Sequence, residues 1–457
     1  MMPETFDIII LGGGKAGKTL SMDQARAGKR VAMIERGLIG GSCINIACIP
    51  SKTLIHSAHV HARSHSARAY GTRTAGRLDM AAVARRTAEV VAEMVDLNQK
   101  GFDASGLELV LGWGRFVEPR IIEVDSEDGM RRLTAPAIYL NLGTTAAIPP
   151  IPGLIEARPL THVEALGLDT VPRRLLVLGA GYIGLELGQA YRRLGAEVMI
   201  IDQASQIAAR EDPEIAAEMQ QALEQDGVEF LLGAGVRSVA GRSGDDVVLT
   251  LADGSTLAGS HLLVATGRRP MTRDIGLDIA GVELDDRGFV KTDAELRTSA
   301  EGIWALGEVA GTPMFTHASL DDYRVVKSAM AGGSHVTSGR VIPYCVFIDP
   351  EMARIGLSEK EARAADVSFR VATLAMDLVP RARTLGERRG LMKLLVGDDD
   401  HILGFTMVGA QAGEVMTAVQ MAMLGNLPFT VVRDAIIAHP TLAEGLGMLF
   451  AKIAPRR

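Results

Sequence analysis

The stretch LGGGKAGKTL, residues 11–20, matches two different phosphate-binding patterns. The choice between these two patterns decides the fold. Gly12, Gly14 and Gly17 form the G-x-G-x-x-G pattern that seats the pyrophosphate of a dinucleotide. From Gly12 to Thr19 the same stretch also reads G-x-x-x-x-G-K-T, the phosphate loop of NTPases. The flanking sequence has to decide between a redox cofactor and a nucleoside triphosphate.

The flanking sequence favours the dinucleotide. Residues 6–11 form an apolar strand, a helix is predicted over about 18–27, and a second strand over about 30–34 leads to Glu35. In this motif the helix N-terminus holds the pyrophosphate, and an acidic residue about 20 positions further on hydrogen-bonds the ribose. Glu35 is therefore the expected ribose ligand.

A second copy of this unit lies at residues 175–202, LLVLGAGYIGLELGQAYRRLGAEVMIID. Its pattern glycines are Gly179, Gly181 and Gly184. An NTPase would need a magnesium-binding Asp after another apolar strand, but Asp202 in VMIID already belongs to this second unit. The second copy contains no G-K-T, so the match at Lys18 and Thr19 is interpreted as accidental.

The two units end in different acids, which suggests two different dinucleotides. The carboxylate of Asp202 would repel a 2′-phosphate, and residues 203–206 contain no arginine. NADH is therefore expected in preference to NADPH. Arg210 is the nearest residue that could reverse this preference.

Composition excludes several other classes of protein. A chain of 457 residues has room for about three domains, and 47% hydrophobic with 23% charged residues is ordinary for a globular enzyme. A net charge of −7 without a long basic run argues against nucleic-acid binding. No apolar segment approaches the roughly 18 residues that span a bilayer, so no membrane association is expected.

The beginning of the chain and its cysteine content predict a cytoplasmic protein. The first residues are acidic and lead into an apolar run, residues 8–11, that is too short for the core of a signal peptide. Three cysteines, Cys43, Cys48 and Cys345, are too few for a secreted disulfide scaffold. A disulfide in this chain is expected to be catalytic.

Cys43 and Cys48 lie in the stretch GGSCINIACIPSK, residues 40–52. On a regular helix they would point about 140° apart, whereas a disulfide needs Cα atoms within about 7 Å. The stretch is therefore either a pair of buried structural cysteines or a redox pair in a turn or distorted first helical turn, where Pro50 is tolerated and a thiol pKa is lowered. No second Cys or His pair at zinc-ligand spacing follows, so no metal site is predicted.

Five motifs in order, GGSCINIACIPSK, GAGYIGLE, ATGRRP, GIWALGEVAG and AHPTLAEG, resemble the class I pyridine nucleotide:disulfide oxidoreductase family over essentially the whole chain. Within the family, GKAGKT and SLDDYRVV resemble most the bacterial flavoproteins of reactive-chlorine resistance. The resemblance implies an α/β fold with two Rossmann-like dinucleotide-binding domains and a C-terminal α+β dimerisation domain. The expected domains are residues 1–150 with 271–336 for FAD, 151–270 for NAD(P)H, and 340–457 for the dimer interface.

The resemblance also implies an activity. FAD would occupy the first glycine pattern and NAD(P)H the second, and electrons would pass from nicotinamide through flavin to a Cys43–Cys48 disulfide. From there they would reach a disulfide, a soft metal ion or another electrophile. Cys48 matches the thiol beside the flavin, and Cys43 matches the interchange thiol that attacks the acceptor.

Other residues take roles by the same resemblance. Lys52 and Glu186 match an ion pair near the flavin, and Tyr182 matches the gate over the nicotinamide pocket. His439 and Glu444 match an acid–base dyad that reaches the active site of the other subunit, which implies a homodimer. Taken alone, the HPT motif would be read as a turn and helix cap.

The remaining assignments concern the cofactor sites. The residues assigned to the FAD site are Gly12, Gly14, Lys15, Ala16, Gly17, Glu35, Ser42, Lys52, Gly114, Gly143, Thr144, Glu308, Met314 and His317. The residues assigned to the NAD(P)H site are Gly179, Gly181, Tyr182, Ile183, Gly184, Asp202, Val236 and Gly267. Gly114 would approach the adenine. Glu308 stands where the family has an Asp against the ribityl chain, so a shifted contact or weaker FAD retention is expected.

Two alternative functions stay open at this point. In the first, an NADH-dependent flavin metal reductase or oxidase, electrons leave the flavin directly, and Cys48→Ser would keep most metal reduction. In the second, a non-catalytic flavoprotein sensor, the purified protein would be colourless and would not oxidise NADH.

Overall fold

The computed structural model describes residues 2–73, 76–127 and 129–454, which form two compact units. The first unit comprises Met1–Thr53, Ala82–Ala147 and Gly267–Arg340. The second unit comprises Leu54–Ala81, Ile148–Thr266 and Val341–Arg457. No helix among the described residues is long and apolar enough to cross a membrane.

A five-stranded parallel sheet forms the centre of the first unit. Across the sheet the strands follow the order Ile303–Ala305, Ala137–Leu140, Ile8–Leu11, Val31–Glu35 and Glu108–Leu111. Ile9 and Ile34 belong to one buried cluster, whereas the adjacent Ile8 and Met33 belong to another. Because successive side chains point to opposite faces, the strands are apolar on both faces, as is typical of parallel sheets.

Smaller sheets and helices complete the first unit. A four-stranded sheet has the order Glu4–Thr5, Gly129–Thr134, Ile121–Ser126 and Trp113–Glu118, and a two-stranded ribbon pairs Thr144–Ala146 with Arg268–Pro270. The helices within the unit are Lys15–Arg26, Ser42–Asn45 and Thr316–Met330, with a 3-10 turn at Gly307–Ala310. The helices Cys48–Ser66 and Met80–Asp103 contribute residues to both units.

The second unit contains a smaller parallel sheet with a similar plan. Its strands follow the order Glu229–Leu231, Glu197–Ile201, Arg174–Leu178 and His261–Val264, and an antiparallel sheet joins Val236–Gly241, Val247–Leu251 and Thr256–Gly259. The helices in this part are His162–Leu166, Tyr182–Arg193 and Pro213–Gln225. Leu176 and Leu249 lie in one buried cluster, so the two sheets share a core.

The same unit holds a five-stranded antiparallel sheet made by the C-terminal sequence. Its strands follow the order Tyr344–Val346, Glu351–Gly356, Ile402–Gly409, Leu391–Gly397 and Phe369–Ala375. The helices are Glu359–Ala364, Pro380–Leu385, Ala412–Leu424, Phe429–Arg433 and Glu444–Phe450, with 3-10 turns at Ala67–Tyr70 and Met376–Leu378. Phe405 of the sheet is buried with Val419 and Leu449 of two of these helices.

The predicted elements are present with shifted ends. The first helix begins at Lys15 rather than near residue 18, because the glycine turn passes directly into it. The cysteine stretch, predicted as a turn or distorted helical turn, forms two helices that are separated at residues 46–47. The three domain boundaries stay a prediction, since the second unit contains both 148–266 and 341–457.

Candidate active site

The first glycine turn packs against Asn141, which follows the strand Ala137–Leu140. Gly12 has φ +104°, and a Cβ there would lie 2.4 Å from the Asn141 carbonyl oxygen. A Cβ at Gly14 would lie 2.4 Å from Asn141 Oδ1, which accepts the Gly17 N–H at 3.0 Å. Side chains are therefore excluded from the turn. Sequence reasoning missed Asn141, although a polar residue at the carboxyl end of a buried parallel strand indicates a site.

Glu35 ends the neighbouring strand and closes the turn from the other side. Its Oε2 accepts the Gly13 N–H at 2.8 Å, and its Oε1 accepts the N–H groups of Gly37 and Leu38, each at 3.1 Å. Oε2 keeps a lone pair that could accept a bond from a ribose hydroxyl. The three backbone N–H groups therefore fix the position of the Glu35 carboxylate.

The turn fits the pyrophosphate of FAD better than a triphosphate. The helix that carries Lys15, Ala16 and Gly17 has no acidic residue in its first turn, so its positive end is available to an anion. The Lys18 ammonium, which an NTPase would use on its phosphates, instead donates to the Gly40 carbonyl and to Asn98 Oδ1.

Two predicted FAD-site glycines make close contacts in the first unit. A Cβ at Gly114 would lie 2.7 Å from Leu11 Cδ1 and 3.1 Å from Ile34 Cγ2, so its strand packs closely on the parallel sheet. Gly143 has φ +71° and precedes the strand Thr144–Ala146.

Glu308, which replaces the family Asp, already has partners in the first unit. The Thr144 hydroxyl donates to Glu308 Oε2, and Arg268 Nη2 lies 3.5 Å from the same oxygen. Arg268 Nε also donates to Thr144 Oγ1 at 2.7 Å. The carboxylate is therefore part of a network that sequence reasoning did not include. Farther on, Met314 is exposed and His317 stacks on Phe315.

Cys43 and Cys48 are free thiols that share one hydrogen bond. Ser42 and Cys43 open the helix Ser42–Asn45, and Cys48 begins the next helix with Pro50 in its first turn. The hydrogen bond from Cys43 lowers the pKa of Cys48 to about 6, against the effect of burial. The same bond and burial raise the pKa of Cys43. The pair therefore holds one thiolate and one thiol.

Two further groups stabilise the Cys48 thiolate. Thr316 Oγ1 lies 3.5 Å from Cys48 Sγ, and the positive charge of Lys52 also lowers the pKa of Cys48. Thr316 begins a helix 268 residues away, and sequence reasoning missed it because no local pattern connects the two.

The second glycine turn repeats the first with different contacts. Gly179 has φ +108°, and a Cβ there would lie 2.5 Å from the Ala265 carbonyl oxygen, while a Cβ at Gly184 would lie 2.0 Å from the Gly179 carbonyl oxygen. Gly181 has no neighbour within 4 Å, so this side of the turn is open to a ligand.

Asp202 occupies the place in the second unit that Glu35 has in the first. Its Oδ2 accepts the Ala180 N–H at 2.6 Å and its Oδ1 accepts the Ala204 N–H at 2.8 Å. The carboxylate is half-buried, and Arg210 is exposed. Val236 begins a strand of the same unit, whereas Gly267, also assigned to the NAD(P)H site, lies in the first unit.

Tyr182 and Ile183 begin the helix after the second turn, and Tyr182 is held by a buried acid. The Tyr182 hydroxyl donates to Glu211 Oε1 at 2.5 Å, and the Tyr344 hydroxyl donates to the same oxygen at 2.6 Å. Glu211 is 1% exposed and pairs with Arg354 at 3.3 Å. Sequence reasoning missed this network, because Glu211 and Tyr344 lie outside the glycine pattern.

The predicted Lys52–Glu186 ion pair stays a prediction, because the two residues lie in different units. Within the second unit, Glu186 Oε1 accepts the Phe347 N–H at 2.9 Å, and the side chain is buried. Within the first unit, Lys52 acts on Cys48 as described above.

His439 and Glu444 form a pair near the end of the chain. His439 Nδ1 lies 2.8 Å from Glu444 Oε2, and the imidazole is 70% exposed while the carboxylate side chain is 14% exposed. When a carboxylate hydrogen-bonds Nδ1, the other ring nitrogen, Nε2, is available to exchange a hydrogen bond or a proton with another group. Exposed apolar side chains surround this part of the sequence: Met421, Leu424, Leu427, Val431, Ile436 and Met448.

Comparisons with known proteins agree over nearly the whole chain. A family model described as pyridine nucleotide-disulphide oxidoreductase matches residues 6–322, and a model of the dimerisation domain of these enzymes matches residues 342–449. The probable pyridine nucleotide-disulfide oxidoreductase RclA of Escherichia coli (strain K12) is 34% identical over 455 residues, which cover 98% of this chain and 99% of the relative.

Two further relatives extend this result. The dihydrolipoyl dehydrogenase of Thermus scotoductus (strain ATCC 700910 / SA-01) is 34% identical over 451 residues, which cover 97% of this chain and 96% of that protein. The solved Cu(II) complex of the HOCl-induced flavoprotein disulfide reductase RclA from Escherichia coli has a TM-score of 0.90 at 33% identity. The superposition covers 98% of this chain and 99% of the solved RclA chain.

Proposed function

Because the chain belongs to the pyridine nucleotide-disulphide oxidoreductase family, we propose that it is an NADH-dependent reductase whose Cys43–Cys48 pair passes electrons to an acceptor. The acceptor is a disulfide, a soft metal ion or another electrophile. Family membership confirms the predicted α/β fold, the oxidoreductase class and the cofactors FAD and NAD(P)H. It also removes the support for a non-catalytic sensor, since the relatives are oxidoreductases.

The residues of the first unit bind the flavin cofactor and prepare the thiols. Bound FAD supplies the two-electron chemistry that links NAD(P)H to the Cys43–Cys48 disulfide. The first glycine turn holds the pyrophosphate against the helix that begins at Lys15, and Glu35 accepts a ribose hydroxyl. Three cysteines in the whole chain, with two of them in a redox role, favour a reducing compartment such as the cytoplasm.

The geometry of the cysteine pair is the observation that carries the proposal: Cys48 begins a helix with its Sγ 3.5 Å from Thr316 Oγ1, and Cys43 lies on the short helix just before it. A Cys48 pKa of about 6 makes this sulfur a thiolate at neutral pH, while Cys43 keeps its proton. Once deprotonated, Cys43 Sγ attacks one sulfur of a disulfide acceptor, and the acceptor S–S bond breaks. Cys48 then attacks Cys43 Sγ and releases the second acceptor sulfur, so that one dithiol is oxidised and one disulfide is reduced.

The His439–Glu444 pair supplies the protons for this exchange from the other subunit of a homodimer. The imidazole is exposed within its own chain, and the carboxylate on Nδ1 fixes its tautomer, so that Nε2 can accept the Cys43 proton and donate it to the leaving sulfur. The dimerisation-domain match and the exposed apolar residues nearby support a homodimer.

NADH is the proposed electron donor. Asp202 presents its carboxylate beside the second glycine turn, where it suits two free ribose hydroxyls and opposes a 2′-phosphate. Tyr182, the first residue of the adjoining helix, is the proposed gate over the nicotinamide pocket.

A soft metal ion is the second candidate acceptor. The solved relative from Escherichia coli is a Cu(II) complex, and two neighbouring sulfur atoms are suitable ligands for copper. In this function the metal ion is the substrate of the reaction, and it takes electrons from the same reduced enzyme.

Anaerobic stopped-flow reoxidation of the NADH-reduced enzyme decides among the acceptors. We expect glutathione disulfide, lipoamide, mercuric ion, cupric ion or a quinone to restore the oxidised flavin spectrum rapidly, and we expect Cys43→Ser to stop disulfide turnover. Cys48→Ser should do the same. If both variants keep wild-type turnover with the preferred acceptor, the cysteines are accessory and the proposal is wrong.

A further inference from the structure

Lys18 is a buried cation with no role in the reaction proposed above. Its side chain is 6% exposed and lies on the helix Lys15–Arg26, directly after the third glycine of the first turn. The ammonium donates to the Gly40 carbonyl at 2.9 Å and to Asn98 Oδ1 at 2.7 Å. Both acceptors are neutral, and among the residues that the structure describes no carboxylate influences this amine.

Burying an ammonium without a counter-charge costs free energy, so the groups around Lys18 should include something that stabilises its charge. Burial lowers the pKa of Lys18 to about 8, and the charge of Lys15 lowers it too. The amine therefore keeps its proton at neutral pH. Among the described residues, Cys43 is the group that favours the charged amine, and it does so when its thiol loses its proton.

The two acceptors connect Lys18 to the backbone that carries Cys43. Gly40 lies three residues before Cys43, and a Cβ at Gly40 would come within 3.2 Å of the Asn98 side chain. A Cβ at Gly41 would lie 3.0 Å from a carbonyl oxygen of the first glycine turn. The loop therefore packs between that turn and the helix Met80–Asp103, and the Lys18 ammonium bonds to both the loop and this helix.

The charge of Lys18 also acts on the thiol directly. The hydrogen bond to Cys48 and burial raise the pKa of Cys43, and the positive charge of Lys18 acts in the opposite direction. Such an interaction is stronger in a half-buried site than in water, because the effective dielectric constant is lower. A cation fixed near Cys43 favours the form of this sulfur that attacks.

We propose that Lys18 is a positioning residue for the interchange thiol: its ammonium fixes the loop before Cys43 and stabilises the Cys43 thiolate that attacks the acceptor. This inference rests on the proposed function, in which Cys43 Sγ forms a mixed disulfide and Cys48 then resolves it. The Lys in the glycine pattern, interpreted from the sequence as an accidental match, thereby gains a role in thiol chemistry.

The test measures alkylation of Cys43 by iodoacetamide in the FAD-loaded, NADH-reduced homodimer, followed by mass spectrometry on both sides of neutral pH. We expect Lys18→Met to slow alkylation at neutral pH by about threefold or more. A tenfold loss of thiolate is partly offset by the higher nucleophilicity of a more basic sulfur. Lys18→Arg, which keeps the charge, should retain most of the wild-type rate.

Two controls separate charge from packing. Lys29→Met makes the same change at an exposed lysine and should leave the alkylation profile unchanged. Asn98→Asp keeps Lys18 but gives its ammonium a carboxylate partner, so this variant should also alkylate Cys43 more slowly than the wild type. If Lys18→Met loses FAD, the alkylation rate of Asn98→Asp tests the inference in its place. A wild-type profile in Lys18→Met or in Asn98→Asp overturns the inference, as does a Lys18→Arg variant as slow as Lys18→Met.

Failure of this inference and failure of the proposed function give different results. If Cys43→Ser keeps full disulfide turnover, the proposed function is wrong regardless of Lys18. If Cys43→Ser loses turnover while Lys18→Met alkylates at the wild-type rate, only the role of Lys18 is wrong. Flavin reduction by NADH should be unchanged in all Lys18 and Asn98 variants, because the thiols react after that step.

Discussion

Cys43 and Cys48 are the same kind of side chain, yet their surroundings shift their pKa values in opposite directions. Cys48 begins a helix, receives a hydrogen bond from Cys43 and lies beside Thr316 and the charge of Lys52, so its pKa falls to about 6. Cys43 is the donor in that bond, and its pKa is raised. A shared hydrogen bond between two thiols favours ionisation of the acceptor and opposes ionisation of the donor. The sequence spacing alone does not indicate which thiol is which.

At the same scale, Asp202 is the residue that we expect to set the preference between NADH and NADPH. We expect the wild-type enzyme to prefer NADH, with kcat/KM about tenfold or more above that for NADPH, because the carboxylate opposes a 2′-phosphate. Asp202→Asn removes the charge but keeps an oxygen acceptor, so kcat/KM should fall for NADH and rise for NADPH. Steady-state kinetics with both donors check this. An unchanged ratio would place the specificity elsewhere, with Arg210 as the next residue to test.

The two glycine turns are alike as sequence patterns but are backed differently in the structure. The first is backed by Asn141, whose carbonyl oxygen faces Gly12 and whose side-chain oxygen faces Gly14. The second is backed by the carbonyl oxygen of Ala265, and its middle glycine, Gly181, faces open space. The pattern therefore combines glycines needed for packing with glycines needed for approach of a ligand.

The second turn allows these two needs to be separated. Gly184→Ala places a Cβ 2.0 Å from a backbone oxygen and should lower the free energy of unfolding by about 1–3 kcal/mol. Gly181→Ala has no such contact and an ordinary φ of −79°, so stability should stay within about 0.5 kcal/mol while NADH binds more weakly. Chemical denaturation and NADH titration measure the two effects. Equal destabilisation by both variants would contradict this division.

Sequence reasoning predicts some parts of the molecule well and others poorly, for a physical reason. The glycine turns and the acids Glu35 and Asp202 are set by local backbone geometry, so fixed spacing predicts them. Asn141, Thr316 and Glu211 reach their sites through strand order and helix packing, from places far away in the chain. The sequence pattern includes Lys18, but it does not predict that this side chain is buried. The burial depends on the loop at Gly40 and on the helix that carries Asn98, which are distant from Lys18 in the sequence.

On the scale of the whole molecule, the C-terminal sequence exposes apolar side chains at positions near His439 and Glu444 in the chain. Leu424 is 69% exposed and Ile436 is fully exposed in the single chain. Large apolar side chains exposed in a single chain are typical of an interface, and the dimerisation-domain match covers the same region. His439 and Glu444 therefore lie in the region that the match assigns to dimerisation.

Leu424→Glu should therefore produce a monomer that is reduced by NADH but turns over disulfides at least about a hundredfold more slowly, because the acid–base pair is missing from the site. Analytical ultracentrifugation and the two half-reactions measure this. Ile155→Glu, at an equally exposed residue outside this region, should stay dimeric and active. A monomeric Leu424→Glu variant with full disulfide turnover would contradict a role for the dimer in catalysis.

The pH dependence of Cys48 ionisation, measured in the FAD-loaded enzyme, tests the account most directly. If Cys48 lies next to the flavin as proposed, its thiolate should give long-wavelength charge-transfer absorbance in the reduced, FAD-loaded enzyme. Because the Cys48 pKa is lowered to about 6, this absorbance should grow as pH rises through about 6. It should persist in Cys43→Ser and be missing in Cys48→Ser. Absorbance that is absent at every pH, or that titrates near the ordinary cysteine pKa of about 8.5, would contradict the account.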